Sequence, residues 1–260
     1  MFSSKERVIY RNNQLGEVIC QLRFPEILRI SADPPAAFQE EIRDVYPQYT
    51  ARRETPAPRI SGTPGKLVLE NQPSSPNYQF ASEDNLWRVN LTSKFISLAC
   101  GKYTCWEDFA SRLDKPLAAF IKTYHPAYFE RVGLRYLNFL SRASLGTDAP
   151  WRDLVSACYL GPMAEEDVGA NAFSQCNLDT ELAIRAGCRV KIHAGTGFVK
   201  KADKQDPEQK FIFDMDLFMP GKVPVNYSAG ALATLHSQAF PIFRDAITEL
   251  THNAMEPKDL

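Results

Sequence analysis

The order of apolar and polar positions divides the chain into segments that alternate and segments that repeat every three to four residues. Glu17–Phe24 alternates, with Val18, Cys20, Leu22 and Phe24 on one face and Glu17, Ile19, Gln21 and Arg23 on the other. This is the period of a half-buried strand. Asp33-Pro34-Pro35 reads as a capped helix start, with proline where first-turn N–H groups have no partner. Phe38, Ile42 and Val45 give that helix its apolar stripe, and Pro47 stops it. Residues 51–65, rich in proline, glycine and arginine, read as a loop. Strands are expected at 66–70, 78–82, 86–91 and 95–100, with turns at Ser82–Asn85 and Thr92–Lys94. Thr104 and Glu107 have the spacing of a capping box. The helix behind them runs to about Tyr124 and buries Trp106, Phe109, Leu113, Leu117, Phe120 and Tyr124. Pro116 should kink it.

The pattern then starts again. Glu130–Leu140 alternates, with Val132, Leu134, Tyr136 and Asn138 opposite Arg131, Gly133, Arg135, Leu137 and Phe139. Leu134-Arg135-Tyr136 echoes Leu22-Arg23-Phe24. A short helix is expected from Asp148 to about Tyr159, a loop at 161–171, and strands near 173–184, 189–193 and 210–218. A long polar hairpin loop fills 197–209, and Gly195-Thr196-Gly197 reads as a turn. The closing helix runs from Ser228 to about Met255 and is interrupted by Pro241. The fold class expected is α+β: a mainly antiparallel sheet built from two similarly ordered β-α-β(3-4)-α halves, residues 1–126 and 127–260, with helices packed on one sheet face. The two halves can equally form one continuous domain, and the shared order suggests a duplication.

Composition narrows the function. Of 260 residues, 44% are hydrophobic and 11% aromatic, ample for a packed core. Lys and Arg number 30 against 31 Asp and Glu, so the net charge of -1 argues against a dedicated duplex-DNA binder while leaving room for a local patch. Six scattered cysteines without a C-x-x-C pair read as reduced thiols of a cytoplasmic protein. Neither a secretory leader nor a run of about 18 apolar residues that would span a membrane is expected.

If helices cover one sheet face, the informative residues lie on the other. The alternation places Arg23, Arg88, Arg131, Arg135, Arg189, Lys191, His193, Asp214 and Asp216 there, together with Gln21 and Asn90. Phe211, Phe213, Met215 and Leu217 point inward while Asp214 and Asp216 point out. Such a face can hold a phosphate-bearing or zwitterionic ligand through arginine forks. It can equally be a solvated surface with cross-strand ion pairs worth about 0–1 kcal/mol each. Two carboxylates alone do not make a metal site, and no metal or cofactor is expected. His193 is the better placed histidine for proton transfer. His236, beside the apolar stripe of the last helix, reads as structural.

Taken together, Leu15-Gly-Glu-Val-Ile-Cys-Gln-Leu-Arg-Phe24, Phe38-x3-Ile42 before Tyr46-Pro47, Arg131-Val-Gly-Leu-Arg-Tyr-Leu-Asn138, Asp214-x-Asp216 and the last helix with Leu235-His236 and Phe243-x3-Ile247-Thr248 resemble a sporadically distributed, uncharacterised bacterial family of about 260 residues. The resemblance covers nearly the whole chain and implies a cytoplasmic accessory protein, in the kind of gene neighbourhood that includes defence systems. It transfers no catalytic residue. The expected function is a binding or regulatory module that engages a macromolecular partner, a protein by preference, with homo-oligomerisation open and no membrane. Enzymatic activity is left open. The alternatives are a phosphate- or nucleotide-handling enzyme, whose Arg/Lys- and Asp-lined face could close into a tunnel, and an RNA or single-stranded nucleic-acid binder using Tyr136 or Trp87 for stacking.

Overall fold

Val18, Cys20 and Leu22 are wholly buried while their neighbours are not, and the same alternation recurs in the strand pattern of both halves. The computed structural model describes residue 2 and residues 5–55, 59–63, 66–70, 74–168, 173, 175–201 and 204–258, without the side chains of 59–63, 66–70, 201, 204 and 205. In chain order the elements are β1 (Ile9–Tyr10), β2 (Leu15–Arg23), α1 (Leu28–Ala32), α2 (Ala36–Ile42), β3 (Gln48–Glu54), β4 (Arg59–Thr63), β5 (Lys66–Glu70), β6 (Ser75–Ala81), β7 (Trp87–Leu91), β8 (Phe95–Cys100) and α3 (Trp106–Tyr124). The second half continues with β9 (Phe129–Leu140), α4 (Arg142–Leu145), α5 (Trp151–Leu154), β10 (Asn177–Ala183), β11 (Arg189–Lys201), β12 (Lys204–Val223), α6 (Ser228–Ala246), α7 (Glu249–Ala254) and β13 (Pro257–Lys258).

Among the described residues, nine strands form one antiparallel sheet in the order β10-β11-β12-β9-β2-β8-β7-β6-β3. The protein is therefore α+β. The two strands that share the Leu-Arg-aromatic echo pair with each other at the centre, Cys20 opposite Leu134 and Leu22 opposite Val132. Outward from that pair, each half adds its strands in the reverse of chain order, β8-β7-β6 on one side and β12-β11-β10 on the other. The helix after the last of these, α3 or α6, returns over the inner face. Phe120 of α3 stacks on Phe24 at 4.6 Å, and Phe243 of α6 meets Phe213 at 6.3 Å. One apolar cluster includes buried residues from both halves. A fully buried side chain of this size is worth about 1.5–3 kcal/mol, so this layer supplies the main cohesion. No described helix is long and apolar enough to cross a membrane.

Several local expectations need correction. Residues 51–54 belong to β3, a wholly exposed edge strand that offers no burial alternation to read, and 59–63 form β4, paired with β5. Residues 56–58, 64 and 65 of the expected loop lie outside the described residues. The polar stretch 197–209 is mostly a two-stranded ribbon: β11 and β12 pair as far as Lys201 opposite Lys204, with a register shift between Phe198 and Lys200. Gly195-Thr196-Gly197 is accordingly strand, not turn. Residues 202 and 203 lie outside the described set, as do 169–171 of the other expected loop and 174 of the strand after it.

Asp33 does not cap α2, whose first turn follows Pro35. The capping box at Thr104 does not form either. Glu107 is held by Arg7 through two contacts of 3.0 Å, which brings its carboxyl down to about 2, and Cys105 occupies the cap position. Both long helices run on through Pro116 and Pro241. The closing helix breaks instead at Ile247, which bridges to Val155, and Thr248 caps the separate α7.

Candidate functional site

The face turned away from the helices is crossed by rows of residues that the strand register fixes. One row reads Arg88, Ala99, Ile19, Arg135, Asp216, Lys191 and Glu181 from β7 to β10. The next reads Glu17, Leu137, Asp214, His193 and Asp179. A third reads Thr50, Gln79, Asn90, Ser97, Gln21, Gly133, Phe218 and Arg189. Arg23 sits opposite Arg131 on β9 and Phe95 on β8. Period-two alternation brings all nine candidate residues to this one face.

Most of their charges are neutralised by a neighbour. Arg135 forks onto Asp214, Nε donating to Oδ1 at 2.8 Å and Nη2 to Oδ2 at 2.5 Å, and this contact raises the arginine pKa above its ordinary value. Arg131 donates Nη2 to both oxygens of Asp216, at 2.6 and 2.7 Å, and lies over the Phe218 ring with Cζ 4.5 Å from its centre. Glu181 takes Arg189 at 2.9 Å and Lys191 at 3.6 Å. His193 Nδ1 meets Asp179 Oδ1 at 2.8 Å, and Arg88 reaches Glu17 at 3.3 Å. Arg23 is exposed and makes no ion pair with any described residue.

The central segment Val132-Gly133-Leu134-Arg135-Tyr136 is shaped by the Arg131 contact. A Cβ on Gly133 would come within 2.2 Å of Arg131 Nη1, because the guanidinium passes over the glycine on its way to Asp216 and Phe218. Glycine at this position gives the arginine its seat. Gly16 does the same for Phe139, whose ring would be 2.2 Å from an added Cβ.

Toward β8, β7 and β6 the same face changes chemistry. Asn77 and Ser97 are buried, Asn90 is half-buried, and Gln21 and Gln79 flank them. Asn90 Nδ2 donates to Ser97 Oγ at 3.4 Å, and Asn77 Nδ2 to Glu54 Oε1 at 2.6 Å. The Oδ1 atoms of both asparagines are buried without a hydrogen-bond partner. A buried acceptor left unmade costs about 1–3 kcal/mol.

Asp214 and Asp216 are each occupied by an arginine, and the described residues contain no group of three or more His, Cys, Asp or Glu placed to hold a metal. Among the described residues the sheet ends at β10 on one side and β3 on the other, and these two strands do not pair to close it into a tunnel. Tyr136 and Trp87 lie on the helix-covered side, 5% and 4% exposed, away from the open face. The pairing carboxylates Glu17, Asp179 and Glu181 were not singled out by sequence reasoning, nor was the Phe218 platform. Each was legible as an i, i+2 neighbour on an alternating strand, but only the register across β9–β12–β11–β10 shows which cation each one serves. All six cysteines are free, with Cys20, Cys100 and Cys188 buried.

No protein-family model matches the chain, and comparison with curated proteins finds no match. The reading of function therefore rests on this geometry.

Proposed function

We propose that the protein is a non-enzymatic binding module that docks a polypeptide partner on the open sheet face, centred on Arg23 and the amide row Gln21–Ser97–Asn90–Gln79. The observation that carries this reading is the exposed Arg23, which makes no ion pair with any described residue, at the end of a row of neutral polar side chains on the face turned away from α3 and α6. A polypeptide offers a carboxylate for Arg23 and backbone amides for the partly exposed Gln21, Asn90 and Gln79 beside it. Interfaces of this kind are depleted of charge at their centre and favour arginine.

The phosphate-handling and nucleic-acid readings are less well served. Both need cations with charge to spare, and all of the candidate cations except Arg23 already face a carboxylate. A cytoplasmic location, an accessory role of the kind the resembled bacterial family implies, and an origin of the two halves by duplication belong to the same proposal. The order of strands about the β2–β9 pair supports the last of these.

The experiment is affinity capture from host lysate with wild type, Arg23→Glu and Asn90→Asp, each first shown to be folded. A specific protein retained by wild type and lost by both variants supports the reading. Retention of the same protein by both variants removes the amide face as the docking surface.

A further inference from the structure

The strand at one margin of the sheet, β3, has every one of its residues exposed, on both faces. β6 pairs with it from Gln48 opposite Ala81 to Glu54 opposite Ser75 without a register shift, and no described residue bonds to the backbone of its outer edge. β4 and β5 pair with each other and not with β3. The strand therefore offers about 24 Å of extended backbone with unanswered N–H and C=O groups. Sheets commonly block such an edge with a proline, a bulge or charged side chains. β3 contains no proline and no bulge. Its charges, Arg52, Arg53 and Glu54, decide which strand it admits.

Thr50 lies opposite Gln79 on the open face, so Gln48, Arg52 and Glu54 lie there too, with Tyr49, Ala51 and Arg53 on the other side. A two-fold axis normal to the sheet keeps each face on its own side and sets one residue opposite its own copy. With Ala51 at that centre the two strands overlap along their whole length. Thr50 then stands opposite Arg52 of the second copy, Tyr49 opposite Arg53, and Gln48 opposite Glu54. No like charges are opposed. The two Arg52 side chains are only diagonal neighbours, and each has Glu54 next to it on the same face. The other margin, β10, fails the same operation. Centred on Thr180, it sets Asp179 opposite Glu181 twice, and like charges directly opposite each other are destabilising. Centring it on either acid opposes that acid to its own copy.

We propose that β3 is a homodimer interface: it pairs antiparallel with β3 of a second copy about a two-fold axis at Ala51, joining the two sheets edge to edge. Main-chain hydrogen bonds supply the attraction, and the placement of the charges sets the register and excludes β10 from the same role. The contact is one strand wide, so the dimer is weak and concentration-dependent. It does not rest on the docking proposal, since β8, β7 and β6 separate β3 from Arg23 on β2.

The test is sedimentation equilibrium of the full chain from micromolar to millimolar concentration. Wild type should pass from monomer to dimer across that range. Thr50 is exposed at the sheet margin, so changing it spares the core. Thr50→Arg sets like charges opposite each other at two symmetric contacts and should weaken the dimer about tenfold. Thr50→Glu sets an acid opposite Arg52 at the same two contacts and should strengthen it by a similar factor. Association through another surface has no reason to respond with opposite signs. A wild-type monomer throughout the range overturns the proposal. So does a dimer that neither substitution moves, or that both move in the same direction. Assembly beyond a dimer overturns it as well, because a two-fold contact closes on itself.

Discussion

On the β9–β12–β11–β10 side of the open face each basic side chain of the candidate set meets an acid: Arg131 and Asp216, Arg135 and Asp214, Arg189 and Lys191 with Glu181, His193 with Asp179. On the β2–β8–β7–β6 side the residues are mostly neutral amides and hydroxyls. Two of their oxygens have no partner, and Arg23 makes no ion pair with any described residue. Both sides belong to one sheet, share one strand order and rest on one apolar cluster. The difference is that opposite charges can satisfy each other across one register step, whereas an amide brings two donors and an acceptor that no single neighbour completes. A surface that satisfies itself resists binding, and one that does not invites it.

The largest expected effects test whether the two sides really share a core. Phe80 on β6 and Phe213 on β12 occupy comparable inner positions and are almost wholly buried. Replacing either by alanine should cost about 3–5 kcal/mol and lower a single cooperative unfolding transition. Two separate transitions in denaturant, with each variant shifting only one, would break the comparison at its base.

Next comes the pH dependence of the layer under the second half. His236 titrates at about 4 in the folded chain against about 6.5 unfolded, its neutral form favoured chiefly by burial, with Arg7 lowering and Glu107 raising the value. The unfolded chain therefore binds the extra proton first as pH falls. Stability from this group is complete above pH 6.5 and declines toward pH 4, by about 3 kcal/mol in all. Urea unfolding of wild type and His236→Phe across pH 4–7 measures it, and parallel curves would contradict the assignment.

A smaller pair of substitutions contrasts the two surfaces directly. Asn90→Val removes a buried unpartnered oxygen and one 3.4 Å bond, and should leave stability unchanged or raise it by about 1 kcal/mol. Asp216→Ala leaves Arg131 without its acid and should lower stability by about 1 kcal/mol. Equal losses at both positions would mean that the amide row is as well satisfied as the charged one. The smallest effect belongs to Arg88→Ala, at most a few tenths of a kcal/mol, because its contact to Glu17 is long and exposed.

Much of this was legible in the chain because burial writes itself as period two. The inner residues Val18, Leu134, Phe213 and Met215 and their outward neighbours Arg23, Arg135 and Asp214 could be assigned to faces before any contact was known. What stayed hidden had no burial signature. β3 is exposed along its whole length and is a strand only because β6 pairs with it. Among the described residues the outer parts of β11 and β12 pair only with each other, so polar residues serve there as well as apolar ones. The capping box at Thr104 failed for a nonlocal reason, since Glu107 answers to Arg7 from far along the chain. For the same reason His236 looked merely structural: its partner Tyr136 and its unsatisfied Nε2 become visible only when α3, β9 and α6 meet.

The most direct measurement of the central claim is the affinity of the captured partner for two reversals of similar chemistry. Arg23→Glu inverts the one cation of the candidate set without an ion pair to a described residue. The double change Arg135→Asp with Asp214→Arg swaps a pair that already satisfies itself. Docking on the amide side means a loss of tenfold or more for the first, about 1.4 kcal/mol or greater, and no change beyond twofold for the second. Binding that survives Arg23→Glu but collapses on the swapped pair would place the partner on the charged side and contradict it.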